Sequence, residues 1–388
     1  MSIGWIIIYT IDIILFVFTA LTVLYLTVFS IASLFNKRSH IPPAKRQNRF
    51  IILIPAYKKD KCIEQTVKTA LGQTYPQRLF DITVISDHQE EITNFRLAQY
   101  PITLLIPDFA DSTKAKSLQL AINNLPQFKI YDIVIVLDAG SVVEPEFLQQ
   151  MNDAFETAGT KAIQAHRLSK NRDTAIANLD AIFEEINNSI FRRGHITLGI
   201  SSATSGSGIA YDFKWFKENI MNVNTGWDDK EIEALLMRQH IYVDYFDNIL
   251  VYDEKTRQSA DFNTQRGRWA STQLRSFLSN VHYLPFALLK KRYDFADKVI
   301  QWMLIPRTIM IALMVLMSIV MPFIYFTLAV KWWILFAVTM LVLACATPDY
   351  LVDDKWDKSF FKAPFIILAS LLNLTKIIHR KKYFENRN

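Results

Sequence analysis

The apolar residues fall into blocks. Ile13 to Phe35 carries no charged residue and is mostly Ile, Leu, Phe and Val. A bilayer core takes about 20 helical residues, so this run is long enough to cross it. No Lys or Arg precedes the run and no small-residue cleavage site follows it, which favours a retained anchor over a cleaved leader. A second charge-free run goes from Thr308 to Val330 and a third from Trp332 to Pro348, with only Lys331 between them. That pattern predicts a tight membrane hairpin turning at Lys331. Ala363 to Thr375 is apolar but short, and His379-Arg380-Lys381-Lys382 follows it. It reads as an interfacial or re-entrant helix before a basic tail. Leu274 to Leu289, ahead of Lys290-Lys291-Arg292, reads as another interfacial helix.

Between the first run and the hairpin the period changes. Phe50-Ile51-Ile52-Leu53-Ile54-Pro55 is a short apolar run stopped by proline, as in a buried strand. Asp81 to Asp87 and Ile133 to Asp138 are further strand-like runs, each ending in an acid. Ile63 to Leu71 and Lys114 to Asn123 have helical spacing. Strands alternating with helices predict an α/β domain with a mainly parallel sheet. Ligands of such sheets bind at the carboxyl ends of the strands. Pro55-Ala56-Tyr57, Asp87 and Asp138 all fall there.

Charge gives an orientation. Lys37, Arg38, Lys45, Arg46 and Arg49 crowd the exit of the first run. By the positive-inside rule the N-terminus lies outside, and the α/β domain and basic tail lie in the cytosol. The expected layout is a transmembrane helix in 1–36, an α/β domain in 37–272 and interfacial helices in 273–305. A transmembrane hairpin in 306–350 and an interfacial or re-entrant helix with the tail in 351–388 complete it. The 388-residue chain has 43 Lys and Arg against 37 Asp and Glu, a net +6. In this layout the excess faces anionic membrane lipids, and no nucleic-acid motif accompanies it. Two cysteines, Cys62 and Cys345, exclude a disulfide framework and a cysteine-built metal cluster. No Gly-rich phosphate loop follows any strand, which excludes Rossmann cofactors and P-loop chemistry.

Several short motifs then occur in a fixed order: Ile54-Pro55-Ala56-Tyr57, Ser86-Asp87, Lys114-Ala115-Lys116-Ser117-Leu118 and Leu137-Asp138-Ala139-Gly140-Ser141. Gly206-Ser207-Gly208-Ile209-Ala210, Trp227-Asp228-Asp229-Lys230-Glu231 and Gln265-Arg266-Gly267-Arg268-Trp269 follow. In this order the sequence resembles membrane-bound family 2 glycosyltransferases, the group of cellulose, chitin and hyaluronan synthases. It looks closest to the polysaccharide-type members of Bacteroidetes. The Q-x-x-R-W spacing is the most specific of the motifs.

The resemblance implies a GT-A fold at the inner or plasma membrane. It implies inverting, hexosyltransferase-type transfer from a nucleotide-sugar donor, a UDP-sugar by preference. Inversion needs one carboxylate to take the acceptor proton. By the resemblance this is Asp229, with Asp228 in support. Read alone, without the other motifs, Asp228-Asp229 is better taken as a solvated, acidic helix start. Pro55, Tyr57 and Asp87 are implied for the nucleotide, Lys114 for the diphosphate, and Asp138 for the donor and its metal. Gln265, Arg268 and Trp269, with Gly206, Ser207 and Gly208, are implied for acceptor and leaving diphosphate. A guanidinium grips phosphate, and an indole face receives a sugar ring.

The family's metal motif is Asp-x-Asp, whereas here it is Asp138-Ala139-Gly140. An Mg²⁺ or Mn²⁺ cofactor would then be held by Asp138, diphosphate and waters, or with help from a residue such as His166. Otherwise the chain is an impaired membrane scaffold. Lys58-Lys59 also stands where an acid usually follows the first motif. The acceptor is either a growing polysaccharide, with a homo-oligomer or an envelope export partner completing the path, or a lipid-linked molecule that receives one sugar.

Overall fold

The computed structural model describes residues 3–35, 41–223 and 228–352. Lys37, Arg38, Trp227, the 363–375 segment and the basic tail lie outside the described residues, and of Asp228 only the backbone position is described.

Among the described residues eight strands form one sheet: β1 (Phe50–Tyr57), β2 (Phe80–Asp87), β3 (Thr103–Leu105), β4 (Ile133–Val136), β5 (Val142–Val143), β6 (Ala162–Ser169), β7 (Ile209–Asp212) and β8 (Val243–Asp253). Their order is β3-β2-β1-β4-β7-β6-β8-β5. The β3-β2-β1-β4 half is parallel throughout. Its strands are apolar on both faces because helices cover both. Phe50, Ile52 and Ile54 pack with Ile63 and Val67 of the Ile63–Leu71 helix. Ile51 and Leu53 point the other way, to Ala115 and Leu118 of the Lys114–Asn123 helix. The chain thus has a GT-A-like α/β fold.

β7 interrupts the parallel run. It lies antiparallel between β4 and β6, with Ile209 opposite Val136. The start of β7 therefore shares a sheet edge with the end of β4. This brings Gly206–Gly208 beside Asp138.

Among the described residues three helices are long and apolar enough to cross a membrane: Gly4–Leu34, Arg307–Ile324 and Phe326–Cys345. The hairpin does not turn at Lys331. It turns at Tyr325, whose extended backbone (φ −160°, ψ 111°) separates the two helices. Pro322 in the preceding turn lacks a backbone donor, which helps end the helix there. Lys331 instead lies inside the last helix and pairs with Asp12 of the first. Asp12 is wholly buried and also accepts from the indole of Trp332 at 2.8 Å. A buried acid is costly unless its oxygens find partners, and here the last helix supplies both.

The stretch from Leu274 to Leu289 is not one helix. Its first residues continue the long Ser259–Asn280 helix, and a separate short helix, Leu284–Leu289, follows a single turn. Pro285, which has no backbone donor, falls in the first turn of the second helix, where none is needed. Leu274, Leu278, Phe286, Leu288 and Leu289 are all exposed, so the apolar surface expected of this stretch is present on both pieces.

From Asp12 onward the N-terminal helix turns most of its polar residues inward. Asp12, Thr19, Thr22, Ser30 and Ser33 are buried, while Ile7, Ile14, Leu21, Leu24 and Ile31 are exposed. That is the polarity expected of a helix with lipid on one side and protein on the other. Its C-terminal half docks on the Asn188–Gly194 turn of the α/β unit. His195 stacks on Phe29, with ring centroids 3.7 Å apart, and its Nε2 meets Tyr25 Oη at 2.9 Å. Gly194 permits the contact, because a Cβ there would lie 2.2 Å from the Phe29 carbonyl oxygen.

Gly194→Ala should therefore loosen the N-terminal helix from the rest of the chain. The expected outcome is a melting temperature lowered by several degrees in detergent, with faster proteolysis between the first helix and β1.

Candidate active site

The edge formed by the ends of β1, β2 and β4 and the start of β7 carries the motif residues. Tyr57 and Asp87 are paired neighbours at the ends of β1 and β2. The Asp87 carboxylate is buried and meets His88 Nδ1 at 2.5 Å. The Tyr57 ring is exposed and edge-on to His88, with centroids 5.6 Å apart. Pro55 precedes them on β1, half-buried. These three form one group, and none of them lines the main cavity.

Asp138 follows β4, one strand over. Lys114, at the start of its helix, reaches it: Nζ lies 2.7 Å from Asp138 Oδ1 and 3.4 Å from Asp229 Oδ1. Nζ also donates to the Gly206 carbonyl at 2.5 Å. Burial opposes the Lys114 charge, but Asp138 and Asp229 together hold its ammonium above the ordinary range. Burial likewise opposes the Asp138 charge, and Lys114 and Arg167 outweigh it, so its carboxyl is held low. Asp229 is the second residue of the Asp228–Arg238 helix. Both carboxylates keep nearly half of their side-chain surface exposed, 43% for Asp138 and 45% for Asp229, so a ligand can reach them.

The Gly206-Ser207-Gly208 motif divides its roles. Gly206 lines the cavity, and a Cβ on it would fall 2.5 Å from Asp229 Oδ2 and 2.8 Å from Lys114 Nζ. Its lack of a side chain is what lets the two charges meet. Ser207 is buried and turned inward: its Oγ accepts from the Asp138 N–H at 3.0 Å and lies 2.6 Å from Ser141 Oγ. The Gly208 backbone serves the sheet, donating to the Val136 carbonyl and accepting from the Ala165 N–H.

Gly140 has φ +115° and donates its N–H to Thr66 Oγ1 at 2.8 Å. This is backbone that side-chain-bearing residues rarely adopt. The absence of a second motif acid thus goes with a turn built for glycine. His166 does not replace it. Its ring nitrogens meet the Asp247 carbonyl and Glu185 Oε1, at 3.0 and 2.9 Å. Among the described residues no group of three His, Cys, Asp or Glu is placed to hold a metal ion.

The Ser259–Asn280 helix forms the opposite wall. Gln265, Arg266, Arg268 and Trp269 all line a cavity of about 660 Å³ that also includes Lys114, Asp138 and Asp229. Arg268 and Trp269 are exposed. Arg266 is the enclosed cation of the motif, and the motif pattern alone gives it no role. It pairs with Asp180 and lies over the rings of Trp269, Phe262 and Phe183 at 4.6–4.9 Å. Burial lowers its affinity for the proton, with Asp180 opposing.

Glu233 is a second residue that the motifs do not single out. One turn after Asp229, it is fully buried, accepts from the Thr204 N–H at 2.8 Å and meets Lys230 and Lys298 at 2.7 and 3.4 Å. Burial works against its charge, but Lys230, Lys298 and the Thr204 N–H outweigh it and hold the carboxyl at about 2. It anchors the helix that carries Asp229. The i, i+4 spacing of Asp229 and Glu233, which puts them on one face, is the only signal of this in the sequence.

The model of "Glycosyltransferase like family 2" matches residues 47–272. The chain belongs to this family. The match runs from just before β1 through the Gln265–Trp269 motif. No curated protein sequence matches the chain. Among solved structures, the mannosyltransferase PcManGT from Pyrobaculum calidifontis, described with GDP-Man and Mn²⁺, superposes with a TM-score of 0.55 at 13% identity. The alignment covers 86% of this chain and 98% of that one. Glucosyl-3-phosphoglycerate synthase from Mycobacterium tuberculosis, described with Mn²⁺ and UDP, gives a TM-score of 0.40 at 14% identity over 59% of this chain and 78% of that one. At such identities the first of these likenesses speaks for the fold alone.

Glu233→Gln should leave Lys298 buried with a weakened partner and cost on the order of 3 kcal/mol of stability. A carboxyl lowered from about 4.3 in the unfolded chain stabilises fully above that pH and loses its contribution as pH falls toward 2. Melting curves of the two proteins should differ most at neutral pH and converge in acid.

Proposed function

We propose that the protein is an inverting glycosyltransferase. It moves a hexose from a nucleotide-sugar donor, a UDP-sugar by preference, to a hydroxyl of an acceptor at the cytosolic membrane face. The observation that carries this reading is the Asp138–Lys114–Asp229 cluster at the sheet edge, facing Trp269 across one cavity.

In this reading Pro55, Tyr57 and Asp87 receive the nucleoside, and Lys114 exchanges its carboxylate partners for the donor's diphosphate. That exchange frees Asp229. Its carboxylate takes the acceptor hydroxyl proton as the acceptor oxygen bonds to the anomeric carbon. The bond from that carbon to the diphosphate breaks, and the nucleoside diphosphate leaves with the electron pair. Trp269 offers an apolar face to the acceptor sugar, and Arg268 a cation to the departing diphosphate.

A divalent cation, Mg²⁺ or Mn²⁺, fits this donor set in one way. Mg²⁺ sites on nucleotides often use one or two carboxylates together with substrate phosphates. Asp138 is the carboxylate of this chain that would share it, and the cation would supply charge neutralisation at the leaving diphosphate.

Transfer to a growing polysaccharide and single transfer to a lipid-linked acceptor both use this chemistry. The cavity also includes Thr22 and Leu26 of the N-terminal helix, which favours an acceptor delivered from the membrane.

Asp229→Asn should reduce sugar transfer by at least roughly 100-fold while UDP binding stays within a few-fold of wild type. Nucleoside diphosphate release and product mass, followed in nanodiscs over a panel of UDP- and GDP-sugars, check this. An Asp229→Asn protein as active as wild type would overturn the assignment, and wild-type inertness over the whole panel would favour a scaffold. A second outcome concerns the metal. Mn²⁺ followed by electron paramagnetic resonance should bind weakly to the protein alone and tightly once UDP is added, and Asp138→Asn should remove the UDP-dependent part.

A further inference from the structure

The cavity also has lining residues that the chemistry above does not use. They come from the Ala175–Asn187 helix with the turn after it, from Arg266, and from the residues leading into the Arg307–Ile324 helix. Seven cationic side chains line the whole cavity against three carboxylates. Three of the seven come together around Phe183 and Glu184: Arg266 and Arg307 lie over the Phe183 ring at 4.9 and 5.4 Å, and Arg192 meets Glu184.

Each is held in place by one part of its guanidinium. Arg192 meets Glu184 at 3.1 Å, Arg266 pairs with Asp180, and Arg307 donates to Asn187 Oδ1 at 2.6 Å. Each also keeps an N–H group that is enclosed and has no partner among the described residues: Nε of Arg192, Nε of Arg266 and Nη1 of Arg307. Only 4% of the Arg192 surface is exposed. Enclosed donors normally find acceptors, and leaving one unmatched costs about 1–3 kcal/mol. Three such groups in one cavity wall leave it short of acceptors, a deficit that an anion with several oxygens would offset. The nearby carboxylates are already engaged. Glu184 is shared among Arg192, Arg167 and Lys255, and Asp180 is taken up by Arg266. Arg307 has no carboxylate within ion-pair distance among the described residues, and it opens an 18-residue helix whose N-terminus favours anions.

Position identifies the carrier of the anion. Arg307 begins a helix apolar enough to span the bilayer, so the cluster lies at the depth of that helix's end. Thr22 and Leu26 of the N-terminal helix, with Ile305, continue the cavity wall. A soluble nucleotide has no need of such a wall, whereas an alkyl chain does.

We propose that Arg192, Arg266 and Arg307 form a phosphate subsite for the head of a lipid-linked acceptor, an alkyl or isoprenoid chain bearing a phosphate or diphosphate. The tail leaves along Thr22 and Leu26 into the bilayer, and the head faces Trp269 and Asp229. This subsite rests on the reading of the cavity as an acceptor site and names the acceptor's class.

The test is binding, read without turnover. The full chain in phosphatidylcholine nanodiscs is titrated with tritiated hexadecyl phosphate, with hexadecanol, inorganic phosphate and UDP as competitors. The expected result is displacement by unlabelled hexadecyl phosphate at least tenfold tighter than by hexadecanol or inorganic phosphate. Arg307→Gln should weaken hexadecyl phosphate about tenfold, and Arg307→Lys less, with UDP affinity unchanged. A photoreactive diazirine analogue should label 22–26 or 304–308 in the unmodified protein, which needs no variant to fold. Equal binding by wild type and Arg307→Gln, or label confined to other segments, would overturn the subsite. Inorganic phosphate binding as tightly as hexadecyl phosphate would make it a free-anion site and overturn the lipid assignment. A parallel loss of UDP in Arg307→Gln would assign the cluster to the donor. Loss of the subsite with Asp229→Asn still inactive leaves the transferase reading standing. Retained binding with Asp229→Asn fully active removes the transferase reading alone.

Discussion

Charges taken out of water must be paired, and the catalytic half of this molecule is arranged around that requirement. Lys114 sits between Asp138 and Asp229. Arg167 lies close enough to Asp138 to help hold its carboxyl low, and it pairs with Asp253 at 2.5 Å. Glu184 takes up Arg167 again, together with Arg192 and Lys255. The result is a chain of alternating charge running from the sheet edge to the Ala175–Asn187 helix and the turn after it. Its members come from β6, β8, several helices and the loops between them. Moving any one of these elements would leave a charge uncompensated, so the network ties the sheet edge to the Arg192 side of the cavity.

The parallel half of the sheet is legible in the sequence because its cause is local. Phe50–Pro55, Asp81–Asp87 and Ile133–Asp138 are mainly apolar and mainly buried runs, and the acids that end the second and third, Asp87 and Asp138, reach the edge expected of them. The order of the motifs also foretells that Lys114, Asp138, Gly206, Asp229 and the Gln265–Trp269 group share one cavity. Other parts are not legible, for reasons specific to each. Insertion of β7 between β4 and β6 depends on a pairing made at long range. Ser207 sits in a motif that resembles an acceptor contact, yet β7 turns its hydroxyl under the Asp138 backbone. Arg266 looks like a spacer within its motif, and only the aromatic rings of Phe183 and Phe262 from the packed fold make it the enclosed cation.

The membrane segments show the same division. Charge-free runs mark the helices well, because exclusion of charge from lipid acts residue by residue. The turn of the hairpin is not marked in this way, because the lysine that seems to bound a helix lies within one. A lysine interrupts a membrane helix only if nothing neutralises it, and Asp12, hundreds of residues away in the chain, does so. The inward-facing Thr19, Thr22, Ser30 and Ser33 are diluted by apolar neighbours and leave no visible pattern.

These contacts change what the N-terminal helix is for. An anchor needs only length and apolarity, and it could be exchanged for any other span. This helix has a buried acid near its start, a ring stack at Phe29 and a backbone approach that only Gly194 allows. Farther along the same inward face, Ser33 Oγ meets Ser189 Oγ at 2.8 Å and Ser30 donates to the Val342 carbonyl. Thr22 and Leu26 lie between these fixed points and form part of the cavity that Asp229 enters from the other side. The first helix is therefore structurally part of the site: Thr22 and Leu26 line the same cavity as Asp229 and the Gln265–Trp269 motif.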